Sequence, residues 1–281
     1  MGNCTMTTHA EDPIFSVASN GDTILLARQS GIYRSRDGGG IWQLINSEAF
    51  PTCVALIERT HLLVAGLPGG IARSSDDGES WRVAYLGVPH PVVVAISEGE
   101  GDTIFAATME DGVFRSTDGG VSWRSVNVGL WLPRMTAILA LGSESVAAST
   151  DVGVVLSTNA GLSWKDVLAT NDPVSALAGK EQLVVAGTET GKILASRNGG
   201  ASWTSPGAVP GGSTILELGL VGEDIVVLTE AGLYQVMISE GDELGSFQLR
   251  MTGDFVTGCP SADGTFVVAT TVGAVGVATQ S

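Results

Sequence analysis

The sequence predicts an all-β fold: a seven-bladed β-propeller built from four-stranded antiparallel blades. Three observations predict it. An octapeptide recurs as SRDGGGIW ending at Trp42, SSDDGESW at Trp81, STDGGVSW at Trp123, STNAGLSW at Trp164 and SRNGGASW at Trp203, with spacings of 39, 42, 41 and 39 residues. Short apolar runs rich in Val, Ile and Thr precede each copy, a composition suited to pleated strands. No stretch shows a helical period, and four short strands per roughly 40 residues is the layout of a propeller blade.

Each unit opens on a first strand (IFSVAS, TCVALIE, VVVAIS, MTAILAL, VSALAG, ILELGL, FVTGC) and continues into a second (TILLA, LLVAG, TIFAAT, SVAAST, LVVAGT, IVVLT, TFVVAT). A Gly-led third strand such as GIYRS, GIARS, GVFRS or GVVLS runs into the octapeptide turn, and the fourth strand starts at the Trp. Pro13, Pro51, Pro91, Pro133 and Pro173 stand at or just before first strands. A fixed φ and a missing N–H suit a crossover between blades and would damage a strand centre. These signals divide residues 1–281 as one propeller domain with blades near 13–48, 49–88, 89–130, 131–170, 171–208, 209–252 and 253–281. A degraded sixth octapeptide, EGDELGSF, ends at Phe247. The last unit runs out after a third strand, AVGVATQ, so residues 3–9 are expected to supply its fourth strand and close the ring. Closure matters because an unlatched ring exposes sheet edges.

The octapeptide has the chemistry of a turn. Ser35, Asp37, Gly39 and Trp42 recur as Ser74, Asp76, Gly78 and Trp81, then as Ser116, Asp118, Gly120 and Trp123. In the fourth and fifth copies, Ser157, Asn159, Gly161 and Trp164, and Ser196, Asn198, Gly200 and Trp203, replace the acid by its amide. A short polar side chain accepts backbone N–H groups two residues on, Gly supplies a positive φ, and Trp packs on the sheet with its N–H satisfied. The Asn copies say that an acceptor is needed and a charge is not. A general base or a hard-cation ligand would not tolerate that exchange.

This pattern, S-x-D-x-G-x-[ST]-W over nearly the whole chain, resembles the Asp-box or bacterial neuraminidase repeat found in sialidases, sortilin-type receptors, xyloglucanases and photosystem II assembly-factor propellers. Blade count and single-domain length are most similar to the photosystem II stability and assembly-factor type. That resemblance implies holding a protein client during assembly. No cofactor is expected, and no catalytic residue is assigned. Resemblance to sialidases would imply three arginines around a substrate carboxylate, but the first strands are aliphatic and only Arg134 opens one; EDPIF stands in place of the arginine-bearing element before the first box.

Composition narrows the partners. With 30 acidic and 14 basic residues the net charge is −16, a field that repels nucleic-acid backbones and anionic membranes. Basic proteins or neutral ligands suit it better. Cys4, Cys53 and Cys259 have neither CxxC nor zinc-type spacing, the three histidines lie in separate units, and no metal site is expected. MGNCTMTTHAED lacks the apolar core of a secretion signal, which makes a cytoplasmic location the expectation.

If the turns join third to fourth strands, ligands belong on the opposite face, where loops vary over a rigid scaffold. The candidates there are Trp131, Arg134, Phe50, His90, Glu110 and Asp111. Trp131, in VGLWLPR, lies outside the octapeptides and is either a partner anchor or a plug folded into the channel. The acids Glu110, Asp111, Asp151, Asp172, Glu189 and Glu230 keep a glycan hydrolase or lyase as the alternative to a protein- or ligand-binding scaffold. A structural subunit of a larger complex is the third reading.

Overall fold

The computed structural model describes residues 12–131, 134–222, 224–239, 241, 243–261, 264–270 and 273–278. Its strands form a ring of small antiparallel sheets. Blade 1 comprises Ile14–Asn20, Thr23–Arg28, Gly31–Ser35 and Gln43–Asn46, hydrogen-bonded in that order. Blades 2 to 6 repeat this meander, opening on Cys53–Ile57, Val93–Glu98, Met135–Ala140, Val174–Lys180 and Ile215–Val221.

One expectation is corrected. Instead of seven four-stranded blades, the described residues form six, and the remaining sheet has three strands, Phe255–Pro260, Thr265–Thr270 and Gly273–Ala278. Within the described residues Gly273–Ala278 pairs along one edge only, with Thr265–Thr270, so that sheet lacks a fourth strand. Residues 3–9, expected to complete it, lie outside the described residues. Without that strand the ring is still continuous. Each first strand lies against the next, and Phe255–Pro260 lies against Ile14–Asn20.

Side chains explain the arrangement. Second strands such as Ile104–Thr108 and Val146–Thr150 are buried throughout, because each is covered on both faces by neighbouring sheets. Apolar clusters accordingly sit between sheets. Phe105 and Val113 of blade 3 pack with Met135, Val146 and Trp164 of blade 4, and Ile24 and Leu26 of blade 1 pack with Val267 and Ala269 of the three-stranded sheet. Full burial of such side chains contributes about 1.5–3 kcal/mol each, so the ring is held by its inter-blade seams. Among the described residues no helix is long and apolar enough to cross a membrane.

In five of the six blades an extra residue bulges near the start of the first strand: Phe15, Val94, Thr136, Ser175 and Leu216. Val256 does the same in the three-stranded sheet. A bulge re-aims its side chain and ends regular pairing. Here the bulges ring one mouth of the central channel, a cavity of about 340 Å³ bounded by all the first strands.

Candidate functional site

The octapeptide turns define one face. In the third turn, Ser116 Oγ donates to Asp118 Oδ1 at 2.7 Å and accepts from the Gly120 N–H at 2.8 Å, while the Ser122 N–H donates to Asp118 Oδ1 at 2.9 Å. Gly120 has φ +80°, a backbone state that a Cβ resists. The Asn copies keep the network: the Ser163 N–H donates to Asn159 Oδ1 at 2.9 Å, and Asn159 Nδ2 donates to Ser163 Oγ at 2.8 Å. Hydrogen bonds from Ser122, first its hydroxyl and then its N–H, hold the Asp118 carboxyl down at about 2. The Ser80 hydroxyl and N–H do the same for Asp76, also about 2, and Asp37 is lowered by the Ile41 N–H ahead of the Ser35 hydroxyl. The N–H groups of Gly38, Gly119 and Gly199 donate to carbonyls of the loops between first and second strands. These turns and loops therefore share a face.

The opposite face holds the loops between second and third strands and the connections between blades. Over blades 1 to 3 of this face an apolar bowl of about 730 Å³ is lined by Pro13, Phe15, Phe50, Pro51, Pro68, Val92 and Met109, with Gln29, Thr52, Val93 and Val94. Phe15 and Val94, both bulge residues, also line the channel, so the bowl opens at its mouth. Phe50 is 67% exposed and Phe15 49%. Contiguous exposed apolar surface of this kind marks interaction sites on soluble proteins. The one hydroxyl in the lining, Thr52 Oγ1, is spent on the Val93 carbonyl at 2.6 Å.

The six candidates fall in different places. Phe50 lies in the bowl, and Arg134 stands beside it with Nη2 3.4 Å from Met109 Sδ. Glu110 and Asp111 follow Met109 on the same loop; Glu110 is exposed, and Asp111 contributes its carbonyl to Asn127 Nδ2. Trp131 is 85% exposed and borders a separate groove of about 460 Å³ with Val152, Asp166 and Leu168 on blade 4. It does not plug the channel: the connection carries it outward to the fourth strand of its blade. His90 is exposed at φ +50° and lines neither cavity.

Phe15, Val92 and Met109 were not legible as site residues. Phe15 and Val92 belong to first strands that read as core, with Pro13 and Pro91 nearby as the hint of a rim, and Met109 follows a second strand with no such signal. Glu217 is not among the sequence candidates either, although it is the one charge inside the ILELGL run. It lines the channel, where burial pushes its carboxyl up to about 8. Burial likewise pushes the Cys53 and Cys259 thiols up to about 12. Among the acids weighed for glycan chemistry, Asp172 is already engaged with the Thr190 hydroxyl and with Lys192 Nζ at 3.4 Å. Burial raises its pKa, but these partners and Thr188 outweigh it and leave it low. Among the described residues no group of His, Cys, Asp and Glu is placed to hold a metal.

Residues 42–215 match the family model of the photosynthesis system II assembly factor YCF48. No curated protein sequence matches the chain. Among solved structures, YCF48 from Cyanidioschyzon merolae superposes with a TM-score of 0.70 at 14% identity, over 98% of this chain and 97% of that one. The extracellular domain of the hybrid two component system BT4673 from B. thetaiotaomicron gives 0.74 at 16% identity, over 99% of this chain, which spans 40% of that one. Virginiamycin B lyase from Staphylococcus aureus, solved with quinupristin, gives 0.78 at 13% identity, over 97% and 96%. At such identities the likeness is one of fold.

Proposed function

The chain belongs to the photosynthesis system II assembly factor YCF48 family, and we propose that it is a non-catalytic scaffold that holds a protein partner on the face opposite its turns. The single observation that carries this is the apolar bowl around Phe15, Phe50, Val92 and Met109. Its lining offers apolar anchors from three blades and no free acid, base or nucleophile, which supports capture over chemistry. What transfers from the family is the holding of a protein client, not the photosystem. The charge of −16 supports a protein in preference to nucleic acid. We read the five regular turns as Asp-boxes that brace the blades.

The test is site-specific photo-crosslinking in the native host. A benzophenone side chain at Phe50 is expected to give a discrete protein adduct, which Phe15→Ser abolishes. The same probe at Val121, exposed on the turn face, is expected to give none. Equal adducts from both positions, or none from Phe50, would overturn the proposal.

A further inference from the structure

The charges around the bowl specify what enters it. Glu48 lies two residues before Phe50, Glu110 follows Met109, and both are exposed. Among the described residues neither carboxylate has a cation within ion-pair distance. Asp151, Glu189 and Glu230 extend the same sign around the loops of this face. Of the 14 Lys and Arg, Arg134 is the exposed one on those loops, and the exposed Lys192 opens a third strand beside them. Lys192 is paired with Asp172, and Arg28, at the end of its strand, is buried against Asp12. The remaining cations belong to the turn face and the strands. Arg34 and Arg36 both reach Asp77, for example, and Arg73 Nη1 donates to the Gly119 carbonyl at 3.1 Å. Glu48 and Glu110 are chain neighbours of the bowl residues Phe50 and Met109, and Arg134 is the cation in contact with the lining, so the loops around the bowl carry an excess of negative charge, the complement of an apolar anchor flanked by cations.

Resting on the docking proposal above, we infer that the occupant is a linear segment of a protein partner, with an aromatic or aliphatic anchor flanked by Lys or Arg. The anchor fills the bowl and supplies affinity, while the flanking cations face Glu48 and Glu110 and set orientation and on-rate. Lys and Arg stems can also lie along the apolar rim while their heads remain in water. The bowl is concave and about 730 Å³, which fits a few side chains of an extended segment.

Fluorescence anisotropy with three labelled peptides tests this: KKLFLKK, its charge-reversed form EELFLEE, and the anchor-free KKSGSKK. The first is expected to bind at least about tenfold more tightly than either control at ~50 mM salt, with the margin over EELFLEE shrinking at ~0.5 M. Phe50→Ser is expected to weaken KKLFLKK by about tenfold or more at unchanged melting temperature, since Phe50 is exposed. Glu48→Lys combined with Glu110→Lys is expected to reverse the preference toward EELFLEE. Equal binding of KKLFLKK and EELFLEE overturns the charge assignment, and equal binding of KKSGSKK reduces the effect to general attraction and overturns it too. A dimer seen by light scattering that Phe50→Ser disperses makes a second copy the occupant, and the inference falls. If no peptide binds but the Phe50 crosslink persists, this inference fails and the docking proposal stands; if the crosslink is also absent, both fail.

Discussion

At the scale of single residues, the turn carboxylates act as hydrogen-bond acceptors. Asp118 accepts from the Ser122 N–H and hydroxyl at 2.9 and 2.5 Å, and Asn159 accepts and donates at the same two points. Asp118→Ala is therefore expected to lower stability by about 1 kcal/mol, the size of a lost cap. Asp118→Asn is expected to change it far less, both measured by urea denaturation. The acid dependence has a definite sign. A carboxylate held at about 2, against an ordinary 3.8, contributes stability that is complete above 3.8 and is lost as the pH falls through 2. Asp118→Asn should flatten the part of the acid-unfolding curve between those values; an unchanged curve would show that the carboxylate's hydrogen bonds add nothing. This chemistry was legible from the octapeptide alone, because its donors and acceptors are at most four residues apart. The role of Phe15 was not, because a bulge set by pairing with the second strand turns it to the channel mouth.

The elements are joined by ties that cross from blade to blade. Thr52, Thr136 and Ser175 donate their hydroxyls to the carbonyls of Val93, Val174 and Ile215, each at 2.6 Å and each in the next blade. The indoles divide in the same spirit. Trp42, Trp123 and Trp203 donate to the Gly of their own turns, whereas Trp81 and Trp164 donate to Ile45 and Val126 of the preceding blade. Thr136→Val keeps the shape of the side chain and leaves the buried Val174 carbonyl without its donor. It is expected to cost about 1–3 kcal/mol in urea unfolding with an unchanged m-value. A neutral result would mean that the seam is held by apolar packing alone. Where the octapeptide degenerates, in blade 6, the loop closes instead through an Ile238–Leu244 bridge, and Phe247 meets Tyr234 edge-on at 6.3 Å. The sequence marked that copy as irregular and did not say what replaces it.

For the whole molecule, closing the ring creates an environment that no blade has by itself. The channel is bounded by every first strand and encloses Glu217, whose carboxyl is pushed up to about 8 by burial. Between its ordinary 4.5 and 8 the folded protein holds a proton that the unfolded chain releases, so stability falls as pH rises through that interval. Glu217→Gln removes the titration while keeping the shape. The variant's melting temperature is expected to exceed that of the wild type at pH 9, with the gap closing below pH 4.5. Parallel curves from pH 4 to 9 would show that the channel does not desolvate this group. The bowl belongs to this scale as well: Phe15, Phe50 and Met109 come from blade 1, the connection after it and blade 3, and they meet only because the ring is curved.

What the sequence determined by itself is whatever depends on neighbours along the chain. The octapeptide period, the alternation of apolar runs with glycines and the Asp-to-Asn exchange specify four-stranded meanders, their turns and the face on which those turns lie. They also show which terms are dispensable, since two of the five turns carry no acid. Only the tertiary structure decided how many blades are complete, where the bulges turn Phe15 and Val94 into the channel mouth, and that Trp131 points away from it. It also decided that Glu217 lies in the channel and that Phe15, Phe50 and Met109 line one apolar bowl. The physical reason is range. Hydrogen bonds of a turn act within a few residues, whereas desolvation and contiguous apolar surface arise from groups about 40 residues apart or more, brought together by the closed ring.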